Sequence, residues 1–268
     1  MKIALAQISS TPDVEANLRA VDAAARDAAG EGARLVLFPE AATCAFDGDL
    51  AAFAADRAEA AHARLAALAD ELDLTLVVGT FTPAADGRIH NTLLMLRPGE
   101  EPLGYDKIHL YDAFGHRESD TIAPGDAPCV VEHGGVRFGL ATCYDVRFPA
   151  LFTRLAREGA QVMLVAASWG AGPGKAAQWE TLTRARALDS GALVAACDQA
   201  VRADLGQDPE VASDTAPLGV GRSGLIGPDG VDAVRLDHGL QTRVVELDLE
   251  AVRRFRAAVP VVENAREL

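Results

Sequence analysis

Leu140-Ala141-Thr142-Cys143-Tyr144-Asp145-Val146-Arg147-Phe148-Pro149 joins an apolar run, Val136–Thr142, to a segment with helical spacing, Pro149–Glu158. The run reads as a β-strand covered on both faces, and proline suits the first turn of the helix that follows. A strand-to-helix elbow exposes the residue at its tip, here Cys143. Backbone N–H groups at such an elbow lower a thiol pKa and donate to an oxyanion, two requirements of a nucleophilic cysteine. From these residues alone, a buried structural cysteine at a strand end fits as well.

The same strand signal recurs outward from the elbow at Ile3–Gln7, Leu35–Phe38, Leu74–Thr80, Asn91–Leu96, Val162–Ala166, Leu193–Cys197, Ser223–Ile226 and Val244–Leu249. Between these runs lie alanine-rich segments with apolar residues at helical spacing, Val14–Ala29, Asp49–Leu72 and Gln178–Ser190. The pattern predicts an α/β fold with layered helices. Thr11-Pro12-Asp13 predicts an N-cap, a proline at the first helical position and an acid in the first turn, with Gly30 closing the helix. No linker or repeat divides the chain, so 1–268 is expected to be one domain with a long loop over Arg202–Gly221.

With 268 residues, 49% hydrophobic and 24% charged, the chain can bury a large core. Its apolar stretches fall short of the roughly 20 residues that span a bilayer, so neither a membrane segment nor a signal peptide is expected. A net charge of −14 opposes the phosphate backbone, and no basic stripe interleaved with aromatics appears, which argues against nucleic acid as a partner. Cys44, Cys129, Cys143 and Cys197 form no CxxC or Cys/His cluster, so neither disulfides nor a zinc site is indicated. Reduced thiols in a cytoplasmic protein are expected, with Cys44, Cys129 and Cys197 as buried structural residues.

A nucleophilic thiol needs a base. Of His62, His90, His109, His116, His133 and His238, the nearest candidate is His109 in Lys107-Ile108-His109-Leu110, a context that equally suits a structural histidine. Leu35-Val36-Leu37-Phe38-Pro39-Glu40 instead brings a carboxylate to a strand end, where open α/β sheets place their sites; alone, Glu40 also fits an exposed acid. Lys107 stands among apolar neighbours, and a surface lysine with a buried stem fits it too.

Taken in order, Phe-Pro-Glu, then Tyr-x-Lys-x-His-Leu, then Cys-Tyr-Asp-x-Arg-Phe-Pro closely resembles the nitrilase superfamily of carbon–nitrogen hydrolases, along essentially the whole chain. The resemblance implies a four-layer α-β-β-α sandwich and a cysteine hydrolase. Cys143 matches the family nucleophile, Glu40 the general base, and Lys107, with a backbone N–H near Tyr144, the stabiliser of the oxyanion. Glu118, in Arg117-Glu118-Ser119, stands where many members carry a second glutamate that holds the lysine charged, although an exposed loop acid also fits.

Within the superfamily the chain is most similar to the omega-amidase and deaminated-glutathione amidase branch, which implies a small carboxylate-bearing amide as substrate. Arg147 is the candidate carboxylate clamp, with pairing to Asp145 as its alternative, and Trp169 is a candidate pocket wall or core residue. Gly221-Arg222-Ser223, Pro228-Asp229-Gly230 and the Ser168–Lys175 loop depart from that branch and leave the substrate, and any reach of Arg222 into the pocket, open. N-carbamoyl-amide hydrolase and nitrilase activities would use the same three residues; a non-catalytic subunit would be expected to lack one of them. The family also implies a homodimer or larger assembly, with the C-terminal segment, about 250–268, at the interface. Arg184, Arg186 and Asp189 are candidates for interface pairs or for a solvated helix face. No metal and no organic cofactor is implied.

Overall fold

The computed structural model describes residues 1–113, 115–212, 217 and 219–266. Five residues of the Arg202–Gly221 loop (213–216 and 218) and the last two of the C-terminal segment lie outside the described residues.

The elements run β1 (Lys2–Gln7), α1 (Val14–Gly30), β2 (Leu35–Leu37) and a short helix α2 (Leu50–Ala52) that continues through a π turn at Phe53–Arg57 into α3 (Ala58–Leu72). Then come β3 (Thr75–Pro83), β4 (Ile89–Leu96), β5 (Leu103–Asp106) and a small hairpin, β6 (Asp112–Ala113) with β7 (His116–Arg117). The second half holds β8 (Val130–His133), β9 (Val136–Thr142), α4 (Pro149–Arg157), β10 (Val162–Ala167), α5 (Lys175–Ser190) and β11 (Leu193–Asp198). The chain closes with β12 (Gly224–Ile226), β13 (Asp232–Arg235), β14 (Gln241–Glu246), α6 (Leu249–Ala258) and α7 (Val261–Asn264).

Two six-stranded sheets result, ordered β14-β1-β2-β3-β4-β5 and β13-β12-β11-β10-β9-β8. Each has three parallel strands at its centre, β1-β2-β3 and β9-β10-β11, flanked by antiparallel neighbours.

Side-chain alternation builds the layers. Ile3, Leu5, Leu35, Leu37 and Val77 face Phe138, Leu140, Val162, Leu164 and Ala195 across the gap between the sheets. Ala4, Ala6, Val36, Phe38 and Val78 point the other way, onto Val14, Leu18, Val21, Ala25 and Ala28 of α1 and Leu65 and Leu68 of α3. Ala141, Met163, Val165, Val194 and Ala196 pack likewise on Leu151, Phe152 and Leu155 of α4 and Trp179 and Ala187 of α5. The expected α-β-β-α sandwich is thus present, with three apolar cores between its four layers, two of helices and two of strands.

Some local expectations need correcting. The N-cap of α1 is Asp13, whose side chain accepts from the Ala16 N–H, and Pro12 stays outside the helix. Thr11 instead donates its N–H to Asn17 Oδ1 and accepts from the Asp13 N–H. The last strand ends at Glu246, and Leu249 begins α6 because Asp248 caps that helix through the Ala251 N–H. Arg184 pairs with Asp232 and Glu180, and Arg186 with Asp189 and the Val146 carbonyl, so these side chains already have partners inside the chain.

Candidate active site

The carboxyl ends of the parallel strands from both sheets converge, as site-bearing α/β sheets require. Just past β2, Ala41 takes φ +57°, which turns the chain sharply after Glu40. Gly79 of β3 makes room for that turn: a Cβ there would stand 2.3 Å from the Pro39 oxygen and 2.5 Å from the Glu40 Cα. Glu40 ends up only 1% exposed. Its Oε1 accepts from Lys107 Nζ at 3.0 Å and Asn91 Nδ2 at 2.8 Å, its Oε2 from the Ser168 N–H at 2.8 Å, and its carbonyl from Gln199 Nε2 at 2.8 Å.

Lys107 follows β5 and is anchored through its N–H to the Asn91 carbonyl and through its own carbonyl to the Gly125 N–H. Its ammonium also donates to both oxygens of Glu118, at 3.0 and 2.9 Å. Glu118 is buried on a 3₁₀ turn after β7, and the Tyr111 N–H donates to its Oε2 at 2.6 Å. Burial alone would pull the lysine pKa down, but Glu118 and Glu40 overcome it and hold the ammonium well above the ordinary range.

Cys143 stands at the tip of the elbow with φ +46°, in the left-handed region that costs a non-glycine residue roughly 1–3 kcal/mol. Asp145 braces this backbone. Fully buried, it accepts from the Thr142 N–H, the Tyr105 hydroxyl and the His109 N–H, with His109 Nδ1 2.7 Å away. His109 stacks on Phe148 and serves this brace, which accounts for its place near the site.

The Cys143 Sγ lies 3.8 Å from the Ser168 carbonyl oxygen. Contrary to the expectation of a lowered thiol pKa, burial pushes it well above the ordinary value; the Glu40 charge adds to this, and Lys107 only partly opposes it. A thiol shifted in this direction needs a base before it can act as a nucleophile. Tyr144 N–H belongs to the first turn of the 3₁₀ helix Cys143–Arg147, where backbone donors have no intrahelical acceptor.

Arg147 does not pair with Asp145. Its guanidinium lies 4.9 Å from the Trp169 ring centre and 5.9 Å from that of Tyr144, and its Nη2 donates to Gln178 Oε1 at 3.0 Å. Trp169 is buried, donates its indole N–H to the Lys175 carbonyl and sits 5.4 Å from Trp179. Arg222 instead meets Glu180 at 2.7 Å and Asp237 at 3.7 Å. Cys44 and Cys197 are buried as expected, whereas Cys129 is half-buried.

Asn91, Ser168, Asp198 and Gln199 were not singled out from sequence, though all four contribute to this pocket or its frame. Asn91 opens an apolar run, Ser168 follows β10, Asp198 ends β11 and Gln199 follows it, so a polar residue at the margin of a buried strand was the available signal. Among the described residues no helix is long and apolar enough to cross a membrane, and no group of three or more His, Cys, Asp or Glu is disposed to hold a metal ion.

Known proteins are similar to this chain along its length. Residues 2–257 match the carbon-nitrogen hydrolase family. A hydrolase of Mycobacterium tuberculosis is 46% identical over 267 residues, covering 98% of this chain and 95% of the relative. The deaminated glutathione amidase of Escherichia coli O157:H7 is 32% identical over 271 residues, covering 99% and 97%. In the solved structures, a glutamate-to-glutamine mutant of the amidase of Nesterenkonia sp. AN1, with the acetamide moiety of fluoroacetamide added covalently at its active-site cysteine, superposes with a TM-score of 0.81 at 27% identity, covering 99% of this chain and 94% of that one. With this match along its length, the chain belongs to the carbon–nitrogen hydrolase family and is an amidase-type enzyme of the nitrilase superfamily.

Proposed function

We propose that the chain hydrolyses the C–N bond of a small carboxylate-bearing amide through a Cys143 thioester and releases ammonia. The observation that carries this reading is the Lys107 ammonium gripped between the buried carboxylates of Glu40 and Glu118, in the pocket that holds the thiol.

Glu40 takes the thiol proton as sulfur attacks the amide carbon, and the oxyanion forms against Lys107 and the Tyr144 N–H. Collapse of that intermediate breaks the C–N bond, with the proton on Glu40 passing to the departing ammonia. Water then attacks the thioester while Glu40 accepts its proton, and cleavage of the C–S bond returns that proton to the sulfur. Glu118 keeps the lysine charged and aimed. Arg147, whose guanidinium is backed by Trp169 and bonded to the neutral Gln178, receives the substrate carboxylate.

The same reading includes one domain over 1–268 and a homodimer whose contact takes in the segment from about 250. α7 rests against α4 and α5 there, while Val259 and Leu188 remain 44% exposed. Four free cysteines suit a reducing cytoplasm.

Ammonia release from a panel of omega-amides, N-carbamoyl amino acids and nitriles tests the substrate class; no release from any of them overturns the hydrolase reading. Cys143→Ala is expected to fold and to form no acyl-enzyme by intact mass, with Cys44→Ala unaffected. Burial pushes the Cys44 thiol up to about 11, which makes it a poor nucleophile. Unchanged turnover in Cys143→Ala removes Cys143 from the mechanism.

A further inference from the structure

Asp198, the last residue of β11, takes no part in the chemistry just described, yet it is fully buried in the same pocket. Its Oδ1 accepts the Trp169 N–H at 2.8 Å and its Oδ2 accepts the Val220 N–H at 2.8 Å. Its own N–H donates to Ser223 Oγ at 3.0 Å.

The Trp169 N–H and the Ser168 carbonyl belong to one peptide group. In a planar trans peptide they point in opposite directions, so fixing one fixes the other. Asp198 holds the N–H, and the Cys143 thiol lies at the carbonyl, 3.8 Å from its oxygen. The preceding peptide is held in the reverse sense: the Gln199 N–H donates to the Ala167 carbonyl at 3.1 Å, while the Ser168 N–H donates to Glu40 Oε2 at 2.8 Å. Two consecutive residues at the end of β11 thus grip two consecutive peptides, one turned toward the nucleophile and one toward the base.

We propose that Asp198 is a positioning residue which, through the Ser168–Trp169 peptide, holds the Cys143 thiol in place beside Glu40. The inference rests on the assignment of Cys143 as nucleophile. A carboxyl oxygen accepting from the N–H also polarises the peptide and makes its carbonyl a better acceptor for the thiol.

The titratable and charged groups acting on the thiol are Glu40 beyond β2, Lys107 beyond β5, Tyr111, Lys175 at the start of α5, and Asp198 itself. Asp198 is among those that push the thiol upward, after burial and Glu40. Burial holds the Asp198 carboxyl well above the ordinary carboxylate value, and the N–H groups of Trp169, Val220 and Gln199 only partly oppose it.

The test is alkylation of Cys143 by iodoacetamide as a function of pH, followed by peptide mass, in wild type, Asp198→Asn and Asp198→Ser. Both variants are expected to move the alkylation midpoint down by roughly half a unit to one unit, because a released Ser168–Trp169 peptide no longer offers its carbonyl to the S–H, a hydrogen bond that favours the neutral thiol. They are also expected to lower kcat about 10-fold with KM within about 2-fold, as for a misplaced reacting group. An unmoved midpoint with a lowered melting temperature would make Asp198 merely structural and overturn the proposal. Should both variants fail to fold, amide hydrogen exchange at Trp169 in the wild type decides: protection supports the proposal and exchange at the rate of an open amide refutes it. Wild-type protein that is not alkylated at Cys143 would instead overturn the nucleophile assignment, a separate failure.

Discussion

Lys107→Met keeps the stem of the side chain and deletes the ammonium. Glu40 and Glu118 are then left 1% and 5% exposed with no cation between them. Removing one partner of a buried ion pair costs about 3–5 kcal/mol, since the remaining charge is neither paired nor hydrated. At about 2–4 °C per kcal/mol for a chain near this size, Tm should fall by roughly 6–20 °C at neutral pH.

The pH dependence has a definite sign. Because the wild-type ammonium is held above the ordinary lysine range, its contribution is fully present below about pH 10 and is lost only as pH rises past that point. In the variant a proton must replace the ammonium between the two carboxylates. The folded state then binds a proton that the unfolded chain releases above about pH 4, so the deficit grows as pH rises from there and shrinks below it. Thermal unfolding of both proteins at pH 4.5 and pH 8 reads this directly, and adding Glu118→Gln should restore part of the loss through coupling. A deficit equal at both pH values, or no deficit, would refute the view that Lys107 neutralises two buried carboxylates.

Gly79→Ala should depress kcat/KM by about 100-fold or more, because its Cβ displaces the backbone that aims Glu40; full activity in a folded Gly79→Ala protein would count against that steric account. Arg147→Gln should raise KM for carboxylate-bearing amides about 10- to 100-fold, the worth of a hydrogen bond to a charged group, and leave neutral amides unchanged. Equal effects on both substrate classes would remove Arg147 from carboxylate recognition.

The layered fold was readable because its signals are local. Ile3 and Leu5 alternate with Ala4 and Ala6, and each pair serves a different core. Short strands with mixed composition were not singled out: Leu103–Asp106 contains a glycine and an acid, and Asp232–Arg235 carries a charge at each end. Glu40 alone suited an exposed acid because its burial depends on a lysine 67 positions later. Family order placed Lys107 and Glu118 as candidates, but composition carried no sign that Asn91 would bond to Glu40 and also approach Glu118. Asp198 was missed for a related reason: its partners are backbone N–H groups, which every residue has and no sequence pattern marks.

Glu40 and Lys107 are carried by the first sheet and Cys143 by the second, so the distance between the Glu40 carboxylate and the Cys143 thiol is set by the thickness of the apolar layer in which Leu5, Leu37 and Val77 meet Phe138, Leu140 and Leu164. Such layers are packed at crystal-like density and compress little. This interior is therefore the ruler of the site: a methylene gained or lost there, remote from the pocket, changes the separation of carboxylate and thiol before it touches the pocket wall.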